Sequence, residues 1–338
     1  MTRTTPPRPA DVEALFPELA GYRATATRLH PRPGAPGVGD SSVGGPFLWP
    51  ADEPWPVCTE PHRRRYGDRT EDVRTTRRIL AEAWGRTPAP GAQPGPTAEE
   101  GELLSSFKRG RHAPWLEDTD PIPLMAVAQL YRRDVPGLGG PADRDLLQLL
   151  WCPFDAHHGK HEPAVQLRWR VAAEVGAVLA DQPEPVVVGS EGYVPSPCVL
   201  DPETVVEHQD FDLLPPELQA RIEEWEGDEE DQDEDSVLYW SDLSVAPGWK
   251  AGGFAAWNST DAGPVTCACG SAMDLLLTVA SSEWDGGSRS WIPLEDRATA
   301  DVMDANIPTH VTVGRWGSMN VFVCPADVEH APRYFFQG

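Results

Sequence analysis

The stretches SSVGGPFLWPADEPWPVC (41–58) and WKAGGFAAWNSTDAGPVTC (249–267) carry the same signs in the same order: a Gly-Gly pair, a tryptophan four residues after the second glycine, a later proline and a terminal cysteine. They align Gly44 and Gly45 with Gly252 and Gly253, Trp49 with Trp257, and Cys58 with Cys267. Two further blocks follow. LMAVAQLY (124–131) matches LLLTVASSEW (275–284), and LLQLLWCPFDAHH (146–158) matches SMNVFVCPADVEH (318–330), which pairs Cys152-Pro-x-Asp155 with Cys324-Pro-x-Asp327. Three blocks recurring in one order predict an internal duplication whose copies differ by insertions, since Cys58 to Cys152 spans 94 residues and Cys267 to Cys324 only 57.

Periodicity around these blocks fixes the class. Short apolar, often β-branched runs bounded by Pro, Gly and Asp read as strands at 125–131, 146–155, 165–171, 186–189, 275–281, 310–316 and 320–325. Helical patterns are fewer: 11–22, broken at Pro17; 69–85; and 215–227, opened by paired prolines and closed by Gly227. With 36 prolines and 30 glycines in 338 residues, about a fifth of the chain resists long helices, against roughly 12% on average. The expectation is an α+β, β-rich fold of two pseudo-equivalent lobes with antiparallel sheets. An N-terminal segment (1–24) precedes a first lobe (25–175) with a basic insertion at about 60–118. A linker (176–234) with a helix and an acidic run then leads to a second lobe (235–338).

Charge divides the chain unevenly. Residues 1–160 hold 20 Lys+Arg and 21 Asp+Glu, a net −1, whereas 161–338 hold 8 and 32, a net −24 of the total −25. Phosphates are repelled by such a field and a cationic protein or peptide is drawn in, so nucleic acid is not an expected partner and a basic client is. The insertion carries Arg63, Arg64, Arg65, Arg69, Arg74, Arg77 and Arg78, while EEWEGDEEDQDED (223–235) holds ten acidic residues and reads as a solvated tether. No apolar run reaches the roughly 18 residues of a membrane span, and MTRTTPPRPA lacks the apolar stretch of a secretory signal, so a cytoplasmic setting is expected.

Candidates for chemistry are sparse. Cys267 and Cys269 on a tight turn ending in Gly270 form the metal candidate, with zinc the ion two thiolates would take; this is half a site, and Cys58, Cys152, Cys198 and Cys324 are available to complete it. No other cofactor is expected. Asp155, His157, His158 and His161 cluster as D-x-H-H-x-x-H, where Pro153, Gly159 and Pro163 favour a polar loop over a ligand-bearing helix. No G-x-S-x-G elbow, P-loop or H-E-x-x-H occurs, and GLGG (137–140) lacks a following helix, so no catalytic residue is assigned. Gly44, Gly45, Trp49, Trp55, Gly252, Gly253, Trp257 and Trp284 are the candidate binding residues: glycine turns beside tryptophans suit either a core or a groove for an extended peptide.

The G-G-x-x-x-W-P block, the apolar A-Q-L strand and the strand ending in C-P-x-D resemble the YwqG-like family of bacterial proteins, which is related in structure to the core of programmed cell death protein 2 of eukaryotes. The second-copy run LSVAPGWKAGGFAAWNSTD…CACG…MDLLLTVASSEWDGGS…VGRWGSMNVFVCP is similar to actinobacterial members of this group. The resemblance covers roughly 40–58 and 121–330. It implies a duplicated β-rich fold, a cytosolic setting and no established enzymatic activity, the eukaryotic relatives being implied chaperones of a ribosomal protein. Cys267-x-Cys269 stands where other members often show Cys-x-x-Cys. The expected function is a protein- or peptide-binding, chaperone-like module for a basic client. A metal-dependent enzyme or zinc-stabilised protein, and an immunity protein covering a toxin, are the alternatives.

Overall fold

The computed structural model describes residues 2–87, 94–107, 113–155, 157, 163–228, 230, 232–233 and 236–338. Sixteen strands in four antiparallel sheets and a few short helices make it an α+β, β-rich protein. The first large sheet combines β1 (Arg23–Arg28), β12 (Glu203–His208), β13 (Lys250–Gly252), β14 (Asp274–Ala280), β15 (Ser318–Val323) and β16 (Arg333–Gln337) in the order β12-β1-β13-β14-β15-β16. The second combines β2 (Arg32–Pro33), β3 (Ser42–Val43), β7 (Met125–Tyr131), β8 (Leu146–Trp151), β9 (Val165–Arg170) and β11 (Cys198–Val199) in the order β2-β11-β3-β7-β8-β9. Two small ladders complete the set: β4 (Val57–Cys58) with β6 (Ile122–Pro123), and β5 (Asp68–Arg69) with β10 (Val187–Val188).

The aligned blocks occupy corresponding places. Strands β3 and β13 each lie beside the long strand β7 or β14, followed by β8 or β15 and then an outer strand. The register shifts between Ala126 and Ala128 in one sheet and between Leu275 and Leu277 in the other. A polar cross-strand pair sits behind each bulge: Gln148 Nε2 donates to Gln129 Oε1 at 2.8 Å, and Thr278 Oγ1 to Asn320 Oδ1 at 2.9 Å. Gln148 and Asn320 also each donate at 3.1 Å to a carbonyl three residues past a Gly-Gly pair, that of Leu48 or Ala256. The turn glycines are needed there, because Gly44 and Gly252 have φ of +64° and +68° and a Cβ on Gly44 would lie 2.7 Å from the Ser196 carbonyl oxygen.

Lobe boundaries at 25 and 235 cut across this topology. Strand β1 belongs to the sheet of the C-terminal strands, and the chain crosses at Leu29 to enter the other sheet as β2; it crosses back between β11 and β12. One core cluster accordingly takes Val43, Val127, Leu149 and Trp151 from one sheet and Ala251, Leu276, Val279 and Val321 from the other. The 310–316 run, expected as a strand, is not one. Val311 and Val313 are buried, but His310, Gly314 and Trp316 have positive φ and break any ladder, so Thr312 N–H bonds the Gly192 carbonyl and Val313 N–H the Ser281 hydroxyl.

The expected helices are α1 (Val12–Leu15) followed by a 3-10 turn after Pro17, α2 (Thr70–Gly85) and α4 (Pro216–Glu226); α3 (Ala98–Phe107) was not anticipated. Proline at the first position opens α4 and Gly227, at φ +77°, closes it, while Leu218 and Ile222 bury one face against Phe16, Leu19 and Tyr239. The arginines of α2 are engaged locally: Arg74 with Glu184, Arg78 with Glu82, and Arg77 with the carbonyls of Glu191, Val194 and His310. Of the acidic run, Asp228, Glu230 and Asp233 are exposed, but Glu226 is half-buried and accepts from Tyr239 N–H; Glu229, Asp231, Glu234 and Asp235 lie outside the described residues.

Candidate metal centres

Each half of the alignment brings four donors together. In the first set Cys58 comes from β4, held against β6 by the Cys58–Ile122 pairing, and His62 follows one turn later with its N–H on the Asp118 carbonyl. Cys152 directly follows β8, and His157 enters from the loop beyond Phe154. Cys58 Sγ lies 3.5 Å from His62 Nε2 and 3.4 Å from His157 Nε2, and Cys152 Sγ 3.5 Å from His62 Nε2. All four side chains are buried, and Phe154 stacks on His62 at 4.8 Å between ring centroids. Burial, and then the neighbouring His157, hold the His62 pKa down to about 4; burial, and then Cys58, push the Cys152 thiol well above its ordinary value.

The second set is built on a hairpin. Met273 N–H bonds the Val265 carbonyl, Thr266 bridges Ala272, and Cys267 N–H bonds the Ser271 carbonyl, so Cys267 and Cys269 flank the tip and Gly270 takes φ +89°. Cys324 directly follows β15, and the Asp327 turn, in which Glu329 N–H bonds the Asp327 carboxylate, returns His330 to the cluster. Cys267 Sγ is 3.4 Å and Cys324 Sγ 3.5 Å from His330 Nδ1, and Cys269 and Cys324 Sγ are 3.6 Å apart. This set is more open, with Cys269 exposed and His330 partly so. The Ser271 hydroxyl and N–H hold the Cys269 thiol down to about 6, and His330 lowers the Cys324 pKa while its own rises.

These separations have a geometric meaning. Zinc with Zn–S of about 2.3 Å and Zn–N of about 2.0–2.1 Å in a tetrahedron places sulfur and nitrogen about 3.6 Å apart and two sulfurs about 3.8 Å apart. Both clusters, with all four donors within 4.8 Å of one another, fit a metal ion of that size and preference. Four protein donors fill the tetrahedron and leave no position for a water, as in structural rather than catalytic zinc sites.

Several expectations are resorted by this arrangement. Cys267 and Cys269 do meet Cys324, but Cys58 and Cys152 complete the other set, and Cys198 joins neither: its thiol donates to the Pro308 carbonyl at 3.2 Å and burial pushes it up to about 12. His157 is a donor, whereas Asp155 accepts from the Tyr193 hydroxyl; His158 and His161 lie outside the described residues. His62 and His330 join the candidate donor sets without having been singled out as donors from the sequence. Their signal was the spacing Cys58-x3-His62 and the histidine five or six residues beyond each Cys-Pro strand end, Cys152 to His157 and Cys324 to His330.

The candidate binding tryptophans are core residues. Trp49, Trp55, Trp257 and Trp284 are all buried, Trp49 packing on Trp55 at 4.8 Å and Trp257 on Phe322 at 6.1 Å. Gly252 and Gly253 shape the turn after β13, and Gly253 faces Glu207 closely. Gly44, Gly45 and Trp55 line a cavity of about 180 Å³ with Arg74 and Gln182. The exposed indoles are Trp84, Trp115, Trp240 and Trp316. Among the described residues no helix is long and apolar enough to cross a membrane. The chain matches no protein-family model and no curated protein.

Proposed function

We propose that the chain is an internally duplicated zinc protein that binds basic protein segments rather than an enzyme, with one structural zinc in each copy, as the YwqG-like resemblance implies for its duplicated fold. The observation that carries the reading is the pair of four-donor clusters with tetrahedral edges at aligned positions, Cys58 with Cys267 and Cys152 with Cys324. Each pins a loop or hairpin to the end of a central strand, which stabilises irregular chain that has little regular hydrogen bonding of its own. The client follows from charge. Residues 161–338 hold 32 acidic side chains against 8 Lys+Arg, and of those eight cations Arg170, Arg221, Lys250 and Arg289 are already ion-paired, so the field of this half favours a cationic client.

Metal analysis of the purified protein should give two zinc ions per chain, Cys152→Ser and Cys324→Ser each retaining one, and a strong chelator should lower the Tm by well over 5 °C. Metal content near zero, with an unchanged Tm on chelation, overturns the zinc reading. For the client, a Lys/Arg-rich peptide should bind with a Kd that weakens about tenfold or more between 50 and 300 mM salt. Equal affinity for an acidic peptide of the same length would exclude electrostatic recognition.

A further inference from the structure

The two four-donor sets differ in one respect that matters chemically. In the first, every donor residue is at most 9% exposed and Phe154 stacks on His62. In the second, Cys269 stands exposed at the hairpin tip, with its sulfur 3.6 Å from that of Cys324, which is fully buried. A peroxide can reach Cys269 without any movement of the fold, and the sulfur that would resolve the oxidised cysteine is already in van der Waals contact with it.

We propose that the second cluster is a peroxide-sensitive thiol site, oxidised at Cys269 and closed by Cys324, while the first cluster is inert to the same oxidant. This rests on the zinc reading above. Cys269 Sγ takes one oxygen of the peroxide as the O–O bond breaks, giving a sulfenic acid and, after protonation, one water. The Cys324 thiolate then attacks that sulfur, the S–S bond forms, and hydroxide leaves and is protonated to a second water. Two thiolates lose two electrons in all and peroxide gains them, with two protons consumed. The disulfide leaves only Cys267 and His330 as metal donors, too few to retain a structural ion. The hairpin 265–273, whose Val265, Cys267 and Met273 pack on Leu275 and Phe322, is then held at its tip by the Cys269–Cys324 disulfide in place of the ion.

Hydrogen peroxide added to the zinc-loaded full chain, with a colorimetric zinc indicator and peptide mapping after alkylation in denaturant, tests this. Zinc content before oxidant decides the metal reading by itself: a metal-free preparation fails that reading, whereas the pattern of release decides the present one. Expected is loss of one of two zinc ions at least about tenfold faster than the other, a disulfide-linked Cys269–Cys324 peptide pair, and Cys58 and Cys152 still alkylated as free thiols. A reductant plus zinc should restore two ions per chain. Release of both ions at one rate, release first from the cluster of Cys58 and Cys152, or retention of both at a tenfold excess of peroxide would each overturn the proposal.

Discussion

Glu203 shows how a single carboxylate ties the N-terminal segment to the sheet. It sits on β12 and accepts from the Thr5 N–H and hydroxyl and from His30 Nε2 at 3.2 Å. Burial raises its pKa, but the His30 and Thr5 hydrogen bonds outweigh that cost and bring it to about 2, below the ordinary 4.5. A carboxylate depressed on folding contributes stability that is fully present above its unfolded pKa and is lost as pH falls from about 4.5 towards 2. Glu203→Gln should therefore cost about 1 kcal/mol at pH 7, discounted for partial exposure, and should flatten the loss of stability below pH 4.5. Urea titrations of both proteins across pH 2.5–7 check it, and parallel pH profiles would rule out this group as a contributor.

At the scale of elements, the sequence was informative where one force acted alone. The runs 125–131 and 146–151, apolar but for Gln129 and Gln148, are strands at the sheet centre that bury on both faces, and α4 starts and stops at its proline and glycine because those act through the local backbone. Strands β1 and β12 were hidden: RATATR and ETVVEH carry few apolar residues, and their pairing partners lie far away in the chain. The 310–316 segment misled for the opposite reason, its alternating valines bury without pairing. The candidate donor clusters were half legible. Cys267-x-Cys269 is local and can be read, but His62 and His157 become neighbours of Cys58 and Cys152 only after β4 and β8 are placed, across 99 residues in the case of Cys58 and His157. The tryptophans beside the Gly-Gly turns could be read as core or groove, and packing decides for core: Trp49 and Trp55 pack with Phe47, Ile122 and Phe154, and Trp257 with Val265, Met273 and Phe322.

The whole molecule is where the aligned halves and the strand topology pull against each other. Similar blocks suggest two lobes that fold separately, yet β1 and β12 from the N-terminal part complete the sheet of β13 to β16, and one apolar cluster draws on both sheets. Buried Lys250 on β13 pairs with Glu207 on β12, so a buried charge after the acidic run is neutralised by a residue before it. Cutting the chain after Asp228 would leave fragment 229–338 with an uncovered β13 edge and an unpaired buried lysine, a loss that typically costs about 3–5 kcal/mol. Its share of the common core would also face water. The fragment 1–228 would keep β1 and β12 with no sheet to join. Intact protein should accordingly unfold in one cooperative calorimetric transition, neither fragment should show a folding transition alone, and the two co-expressed should copurify as a complex that melts cooperatively. Two separate transitions in the intact chain, or a 229–338 fragment with dispersed amide resonances, would mean that each half is stable without the exchanged strands.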